Sequence, residues 1–171
     1  MDTFYNTDHE PGRLPHLDIQ QTEHGKAVKA KHNLAKDTVL VNISGPTMNY
    51  WETLAMGKKE SYCLQVEKDS YIRPAYPFYL FNHSCNPNCG INASLQLITT
   101  RDIVSGEELT WDYSTSMLER GWTLNCSCGD PACRKVIRDF DLLPKQLQQY
   151  YLDKGIVLPF IRTYIIAKNK S

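Results

Sequence analysis

The chain has 171 residues, which is enough for one domain with its own hydrophobic core and too few for two comfortable domains. Its hydrophobic fraction of 42% and charged fraction of 22% are typical of a folded globular protein and exclude a disordered chain. Nineteen basic residues balance nineteen acidic ones, so the overall charge gives no attraction toward nucleic acid or an anionic membrane.

The predicted elements are mostly strands. Residues 1–15, rich in polar groups, Gly and Pro, are expected to form an irregular lead-in. Short apolar runs follow at 38–43, 61–67 and 95–101, each rich in β-branched or aromatic residues and bounded by turn formers. These runs predict strands, and the apolar alternation over 108–111 predicts a half-buried sheet there as well.

One helix is predicted near the end of the chain. Pro144 can occupy its first turn, and Gly155 is suited to end it. Three residues share one face at spacings of three and four, namely Leu147, Tyr150 and Tyr151. The apolar segment 159–166 is expected to pack back on the body, so the sequence predicts a mostly β fold with a C-terminal helix.

The compartment decides how the cysteines are interpreted. No apolar run approaches the roughly 20 residues that span a bilayer, and residues 1–18 lack the apolar core of a signal peptide. We therefore expect an intracellular protein, cytoplasmic or nuclear, that contacts neither membrane nor nucleic acid directly. Intracellular thiols stay reduced, so the six cysteines are interpreted as free thiols or metal ligands rather than disulfides.

Three of these cysteines form a cluster with the spacing C-x-C-x4-C, which places Cys126, Cys128 and Cys133 within eight positions. Buried core thiols are the alternative interpretation, but the polar segment 125–134 offers no core for them to fill. A closed tetrahedral zinc site needs four ligands. By chemistry alone the candidates for the fourth are Cys63, Cys85, Cys89 and His83.

Two further motifs lie in the central part of the chain. Asn82–Asn88 reads N-H-S-C-x-P-N, and Gly106–Tyr113 reads G-E-E-L-T-W-D-Y. Taken alone, the asparagines fit turn residues and the histidine fits a structural role. Together with the cysteine cluster, the order and spacing resemble the SET-domain family of protein lysine methyltransferases, including its post-SET region. The resemblance is specific from Phe81 to Arg134 and weaker from Thr22 to Glu67.

This resemblance implies a SET-domain fold of small curved sheets with a pseudoknot. In that fold the segment carrying Asn82 and His83 is threaded beneath the strand that leads to Tyr113, an arrangement that is rare in proteins. The expected organisation is a SET domain over 16–118, a post-SET zinc-binding region over 119–138 and a C-terminal helical extension over 139–171.

The resemblance also implies S-adenosylmethionine as cofactor. The stretch His24–Ala27 is similar to the family's glycine-containing loop, where a residue without Cβ lets the main chain approach the cofactor. Asn82 and His83 would contact the cofactor mainly through their backbone groups and the side-chain amide of Asn82. Tyr62 matches an aromatic near the cofactor, and Leu124 would cover the adenine. The expected cofactor-binding residues are Gly25, Lys26, Ala27, Tyr62, Asn82, His83 and Leu124.

One structural zinc ion is implied as well, held by Cys85, Cys126, Cys128 and Cys133. Cys85 ends the N-H-S-C run and would also close the zinc site. Loss of zinc is therefore expected to loosen the cofactor pocket together with the tail.

Methyl transfer from a sulfonium to an amine requires a neutral lysine nitrogen aligned with the methyl carbon, and it requires that water be kept away. A narrow aromatic channel desolvates the lysine and suits the methylated cation. The resemblance implies that Tyr113 is the catalytic residue, with Trp111 and Leu64 in the channel. A core position for Tyr113 or Trp111 is the alternative.

The sequence departs from the family pattern in four places. Ala27 replaces a second glycine, Ile43 stands where a channel tyrosine is usual, and Tyr79-Leu80 replaces Arg-Phe. Trp111 occupies the position, normally Phe or Tyr, that governs how many methyl groups are added. The expected substrate is a histone or another lysine-bearing protein. A catalytically silent SET-like zinc module that binds protein or cofactor is the alternative function, and a zinc-stabilised nucleic-acid module is disfavoured by the balanced charge.

Overall fold

The computed structural model describes residues 14–23, 25–57 and 62–170. The strands in this part of the chain are β1 Leu17–Thr22, β2 Gly25–Ala30, β3 Val39–Asn42, β4 Thr47–Met48, β5 Leu64–Glu67, β6 Ser70–Ile72, β7 Cys89–Ile91, β8 Gln96–Thr99, β9 Leu124–Asn125 and β10 Val136–Ile137. The α-helices are α1 Tyr50–Ala55, α2 Lys145–Asp153 and α3 Pro159–Lys168. Short 3₁₀ helices span Phe78–Leu80, Tyr113–Ser116 and Phe140–Leu142.

The strands pair into four small antiparallel sheets. Their orders are β1-β2, β3-β8-β7, β4-β6-β5 and β10-β9. The runs predicted at 38–43, 61–67 and 95–101 contain β3, β5 and β8, so the prediction of strands there is confirmed. The predicted fold class, mostly β with small sheets and a helical C-terminus, is also confirmed.

The alternating segment 108–111 differs from its prediction because it joins no regular sheet. It is held instead by isolated bridges, in which Lys29 faces Glu108 and His83 faces Trp111. The burial still alternates, with Glu108 exposed and Trp111 buried. Two different segments supply its partners, so no single strand pairs along its whole length.

The core consists of one main cluster and two smaller ones. The main cluster lies between the sheets and includes Val28, Phe81, Leu97 and Leu109. A second cluster joins the C-terminal helices to the body, and a third surrounds the cysteines and includes Ile137.

The C-terminal extension contains two helices where the sequence predicted one helix and a packed segment. Pro144 precedes α2 rather than lying in its first turn, and Gly155 adopts φ +69° just after it. Tyr151 is buried, whereas Tyr150 is 50% exposed, so the predicted apolar face is only partly correct. The segment 159–166 lies within α3 and packs back on the body, as predicted.

The lead-in predicted for residues 1–15 lies outside the described residues except at its last two positions, and His24 and Ser61 lie outside them as well. Among the described helices, none has the length and apolar content to cross a membrane.

Candidate active site

The two central motifs lie side by side, as the expected pseudoknot requires. His83 forms a parallel bridge with Trp111. The Ser84 N–H donates to the Trp111 carbonyl at 3.2 Å, and the Trp111 N–H donates to the Asn82 carbonyl at 3.2 Å. The buried Asn88 amide adds two bonds to the second motif, donating to the Glu108 carbonyl at 2.8 Å and accepting from the Thr110 N–H at 2.9 Å. Asn88 therefore holds the two motifs together and is more than a turn residue.

Tyr113 begins a 3₁₀ helix directly after this crossing. Its hydroxyl donates to the Phe81 carbonyl at 2.9 Å, and its ring packs 4.8 Å from Trp111 and 5.2 Å from His83. Burial raises the pKa of Tyr113 well above its usual value, with smaller contributions from Tyr62 and Glu108. The phenol therefore stays protonated at neutral pH and acts as a hydrogen-bond donor rather than as a base.

An aromatic cleft opens beside Tyr113. It encloses about 670 Å³, including the space open to solvent at its mouth. Its aromatic lining includes Tyr62, Phe78, Tyr79, Phe81, Trp111 and Tyr113. Leu64 and the acidic Glu119 also line it, and no Lys or Arg does so among the described residues. The structure thus brings Tyr62, Leu64, Trp111 and Tyr113 to one cleft, whose ring faces and Glu119 carboxylate suit a cation.

Trp111 both packs in the core and lines the cleft. It is 5% exposed, and its ring lies 5.5 Å from Phe78. Its buried Nε1 has no hydrogen-bond partner among the described residues. Ile43, at the position of the family's channel tyrosine, is buried in the main core cluster and does not line the cleft.

Tyr79 was not predicted as a cleft residue. It stands where the family has Arg, and its ring lies 6.0 Å from Tyr62 and 6.3 Å from Tyr76. Burial raises the pKa of Tyr79, with smaller contributions from Tyr76 and Tyr62. Its departure from the family pattern was the only signal in the sequence, and that signal does not say which way the side chain points.

The predicted cofactor loop contacts the Asn-His motif. The Asn82 amide donates to the Lys26 carbonyl at 3.0 Å and to Glu108 Oε1 at 2.8 Å. Gly25 adopts φ +117°, a conformation that favours glycine, and the space where its Cβ would lie is open. Ala27 is buried, and the main-chain N–H and C=O of His83 have no hydrogen-bond partner among the described residues. These free polar groups and the open loop fit a small polar ligand.

The remaining two predicted cofactor residues lie at the periphery. Tyr62 is 46% exposed at the cleft. Leu124 is 42% exposed and pairs with Ile137 on the neighbouring strand. No hydrogen bond or ring contact among the described residues joins Leu124 to Asn82 or His83.

The four predicted zinc ligands converge. The Sγ atoms of Cys85, Cys126, Cys128 and Cys133 all lie within 4.8 Å of one another. Cys85 Sγ lies 3.8 Å from Cys126 Sγ, which equals the S···S separation of about 3.8 Å expected in a tetrahedron with Zn–S bonds of about 2.3 Å. Burial raises the pKa of the Cys85 thiol to about 12, so a thiolate there needs a cation beside it. The cluster is therefore compatible with zinc.

The other candidates for the fourth ligand lie elsewhere. Cys63 contacts the sulfur atoms of Met48 and Met56, at 3.7 and 3.6 Å. Cys89 is fully buried in the main core cluster.

His83 links this cluster to Tyr113. Its Nδ1 accepts from the Tyr113 N–H at 3.2 Å, which leaves the ring proton on Nε2, 3.4 Å from Cys85 Sγ. Burial lowers the pKa of His83 to about 4, with Asp112 opposing the shift and Arg134 adding to it. The ring is therefore neutral at pH 7, and its 3.6 Å contact with Asp112 is not an ion pair.

Asp112 is the centre of a buried polar network that the sequence did not predict. Its Oδ1 accepts from Arg134 Nη2 at 2.7 Å and from the Ser114 N–H at 3.1 Å, and its Oδ2 accepts from the Tyr151 hydroxyl at 2.8 Å. The sequence motifs predicted only a structural position for Asp112 beside Tyr113, because Arg134 and Tyr151 lie 22 and 39 residues away in the chain.

Comparisons with known proteins agree with the motifs. The family described as SET domain matches residues 25–114. The chain is 28% identical over 136 residues to histone-lysine N-methyltransferase ASHR3 of Arabidopsis thaliana, covering 69% of this chain and 27% of that protein. It is 31% identical over 135 residues to the H3 lysine-36 specific histone-lysine N-methyltransferase of Schizosaccharomyces pombe, covering 68% of this chain and 17% of that protein.

A shorter match reaches 43% identity. It covers 68 residues of histone H3-lysine(4) N-trimethyltransferase ATX1 of Arabidopsis thaliana, or 36% of this chain and 6% of that protein. The chain therefore spans between 6% and 27% of the length of these three relatives. Because the family match extends over more than half of the chain, and the crossing motifs and fold agree with it, this protein belongs to the SET-domain family.

Proposed function

We propose that this protein transfers a methyl group from S-adenosylmethionine to the side-chain amine of a lysine in a protein substrate. The observation that carries the proposal is the position of the Tyr113 hydroxyl, which lies at an aromatic cleft and beside the crossing of the Asn-His motif. When bound, the cofactor supplies an electrophilic methyl group on a sulfonium.

The proposed cofactor-binding residues are Gly25, Lys26, Ala27, Tyr62, Asn82, His83 and Leu124. The Asn82 amide, the Lys26 main chain and the main-chain groups of His83 offer the polar contacts, and the open space at Gly25 leaves room for a ligand. The contact between Asn82 and Glu108 keeps the amide oriented, which limits the ordering that binding would otherwise require.

The cleft would bind and desolvate the substrate lysine. Aromatic faces around the lysine stem favour the neutral amine, because burial penalises the ammonium, and the proton leaves to solvent before the nitrogen lone pair attacks. The Tyr113 hydroxyl is fixed because it donates to the Phe81 carbonyl, so its oxygen remains as an acceptor that would orient the amine. Leu64 and Trp111 line the same cleft and would limit how the amine approaches.

We also propose that Cys85, Cys126, Cys128 and Cys133 hold one structural zinc ion. Such a site would tie the post-SET region, 119–138, to the SET domain, 16–118, through Cys85. The helical extension then covers 139–171.

The names of the relatives support a histone as the first substrate to test and the nucleus as the first compartment to examine. The lining of the cleft agrees with a basic peptide, since Glu119 is charged and no described lining residue is cationic.

The test is methylation by the purified full chain. Histone octamers, nucleosomes and a host protein extract are incubated with S-adenosylmethionine carrying a labelled methyl group, and mass spectrometry locates the label and counts the methyl groups on each lysine. Label on lysine side chains, absent from a reaction with Tyr113→Phe, supports the proposal. Cofactor binding by calorimetry without transfer to any of these proteins would indicate the catalytically silent module instead.

A further inference from the structure

We propose that helix α2 is a positioning element of the methyl-transfer centre and acts through the hydroxyl of Tyr151, which holds the Asp112 carboxylate in place. The inference rests on the proposed function, since it assigns a residue to that same centre. Tyr151 lies outside the residues matched by the family and 38 positions beyond Tyr113 in the chain.

The contact itself is buried and specific. Tyr151 is 1% exposed and Asp112 is 1% exposed, and the hydroxyl donates to Oδ2 at 2.8 Å. Among the described residues, Tyr151 is the donor to Oδ2, whereas Arg134 and the Ser114 N–H donate to Oδ1. Removing the hydroxyl would leave one oxygen of a buried carboxylate without its donor, so the carboxylate would rotate or admit water.

Asp112 transmits this effect to Tyr113 through the backbone. Its side chain caps the 3₁₀ helix that begins at Tyr113, because Oδ1 accepts from the Ser114 N–H. The Asp112 carbonyl also accepts from the Thr115 hydroxyl at 2.8 Å and from the Thr115 N–H at 3.0 Å. A rotation of the carboxylate would loosen the first turn of this helix, and the Tyr113 hydroxyl would shift relative to Phe81.

The same carboxylate reaches the cysteine cluster through Arg134. The Arg134 guanidinium donates to Asp112 Oδ1 at 2.7 Å, and the Arg134 N–H donates to Cys85 Sγ at 3.3 Å. The guanidinium also contacts the Cys85 carbonyl at 3.5 Å. Tyr151, Asp112, Arg134 and Cys85 therefore form one continuous chain of polar contacts from α2 to the cysteines.

Other contacts fix α2 against this region. A Cβ at Gly90 would lie 2.6 Å from Ile156 Cβ, so the loop after α2 packs directly on the backbone of β7. The Leu158 N–H donates to the Thr115 carbonyl at 3.4 Å, within the 3₁₀ helix that Tyr113 begins. Both contacts lie just after α2, so the extension is anchored to the body close to Tyr151. We therefore expect that a small change at the hydroxyl is not absorbed by movement of the whole helix.

The alternative is that Tyr151 only fills the core. Its ring belongs to the second core cluster, with Phe140 and Ile161, and a phenylalanine would supply the same packing. The substitution Tyr151→Phe therefore separates the hydroxyl from the ring. Tyr150→Phe is the matched control, because it removes a hydroxyl from the same helix at a side chain that is 50% exposed.

The experiment measures steady-state methylation of a peptide that contains the lysine located by the mass-spectrometry test, at a temperature well below each variant's own melting temperature. We expect Tyr151→Phe to lower kcat about tenfold, the factor obtained if the lower end of the free energy of a hydrogen bond to a charged group is lost from the transition state, with KM for the peptide unchanged. Tyr150→Phe is expected to match the wild type. If Tyr151→Phe lowers the melting temperature but leaves kcat unchanged, Tyr151 acts only in packing and the proposal is overturned.

Two further measurements keep the inference testable if Tyr151→Phe folds poorly. Arg134→Lys disturbs the same carboxylate from its other side and is expected to lower kcat too. In the background of Asp112→Asn, the effect of Tyr151→Phe on kcat should disappear, since the acceptor is already changed. An undiminished, additive effect in that background would contradict a route through Asp112.

A readout that needs no methylation separates this inference from the proposed function. The zinc-loaded full chain is challenged with a chelator, and release of the ion is followed with a zinc indicator. We expect about tenfold faster release from Tyr151→Phe than from Tyr150→Phe, because the support of Cys85 through Arg134 is weakened. If the wild type methylates nothing but this difference is observed, the proposed function fails and the coupling remains. Equal release rates overturn the coupling.

Discussion

Asp112 and Tyr113 are neighbours in the chain but belong to two regions of opposite character. Tyr113 faces an aromatic cleft that is open to solvent, and Glu119 is the one charged residue of its lining within the part of the chain that the structure describes. Asp112 lies in a closed region of hydrogen-bonded charges, where Arg134, Tyr151 and the cysteines converge. The aromatic region is suited to binding and chemistry, and the polar region is suited to fixing geometry. Because one peptide bond joins Asp112 to Tyr113, we expect a shift of Asp112 in the polar region to displace Tyr113 in the aromatic region.

The difference also explains how the two regions tolerate change. The cleft is lined mainly by ring faces, and the family departures at Tyr79 and Trp111 fall in its lining, whereas Ile43 lies in the main core cluster. The polar region contains buried groups that each need a partner, so substitution of one group leaves another unsatisfied.

Removal of zinc is expected to have the largest effect, because it breaks the polar region at its centre. A structural zinc site contributes about 10 kcal/mol of folding free energy in small zinc domains. We expect chelation to lower the melting temperature strongly and to weaken binding of S-adenosylmethionine, since Cys85 belongs to the cofactor motif. Calorimetry before and after chelation measures both. A metal-free protein with full cofactor affinity would show that the two regions are independent.

The next largest effect is expected from Tyr113→Phe, and we expect it to be confined to the aromatic region. Loss of one positioned hydrogen-bonding group in an active site costs about 10²–10³ in kcat in other enzymes, and the substitution keeps the burial of the ring. We expect the melting temperature and cofactor affinity to stay close to those of the wild type, as measured by scanning calorimetry and titration. A folded variant with near-normal turnover would remove Tyr113 from the mechanism.

The smallest expected effect concerns acid stability and arises at a separate cluster of charges, which serves as a comparison for the polar region around Asp112. Arg120 donates to Asp141 through two hydrogen bonds, and Lys168 of α3 adds a third. These contacts, with Arg120 the main cause, lower the pKa of Asp141 to about 2. Because the unfolded value is about 3.9, the stabilisation is present above about pH 4 and is lost as the pH falls toward 2.

Thermal melts from pH 6 to pH 2 measure this contribution. We expect Asp141→Asn to lower the melting temperature by a few degrees at pH 6 and to narrow its gap to the wild type toward pH 2. A constant difference across this range would mean that packing, and not the charge of Asp141, is responsible.

The sequence by itself determined the features that are local in the chain. The C-x-C-x4-C spacing brings Cys126, Cys128 and Cys133 together over a few residues, and the eight-residue motif ending at Tyr113 keeps Trp111 beside it. The family and the fold class followed from the order of such motifs, and both are confirmed. The roles of the site residues stay predictions.

Only the tertiary structure decided which distant residues meet. Ile43 enters the core and Tyr79 enters the cleft, and neither position was predicted. Spacing alone left Cys63, Cys85, Cys89 and His83 as candidates for the fourth ligand; the family resemblance implied Cys85, and the structure brings it to the cluster. The bond from Tyr151 to Asp112 spans 39 residues and leaves no periodic signal in the chain. Spacing and periodicity in a sequence indicate which residues are neighbours along a strand or helix. Contacts between elements depend instead on how the whole core packs. The sequence therefore placed Asp112 beside Tyr113 but could not predict its contacts with Arg134 and Tyr151.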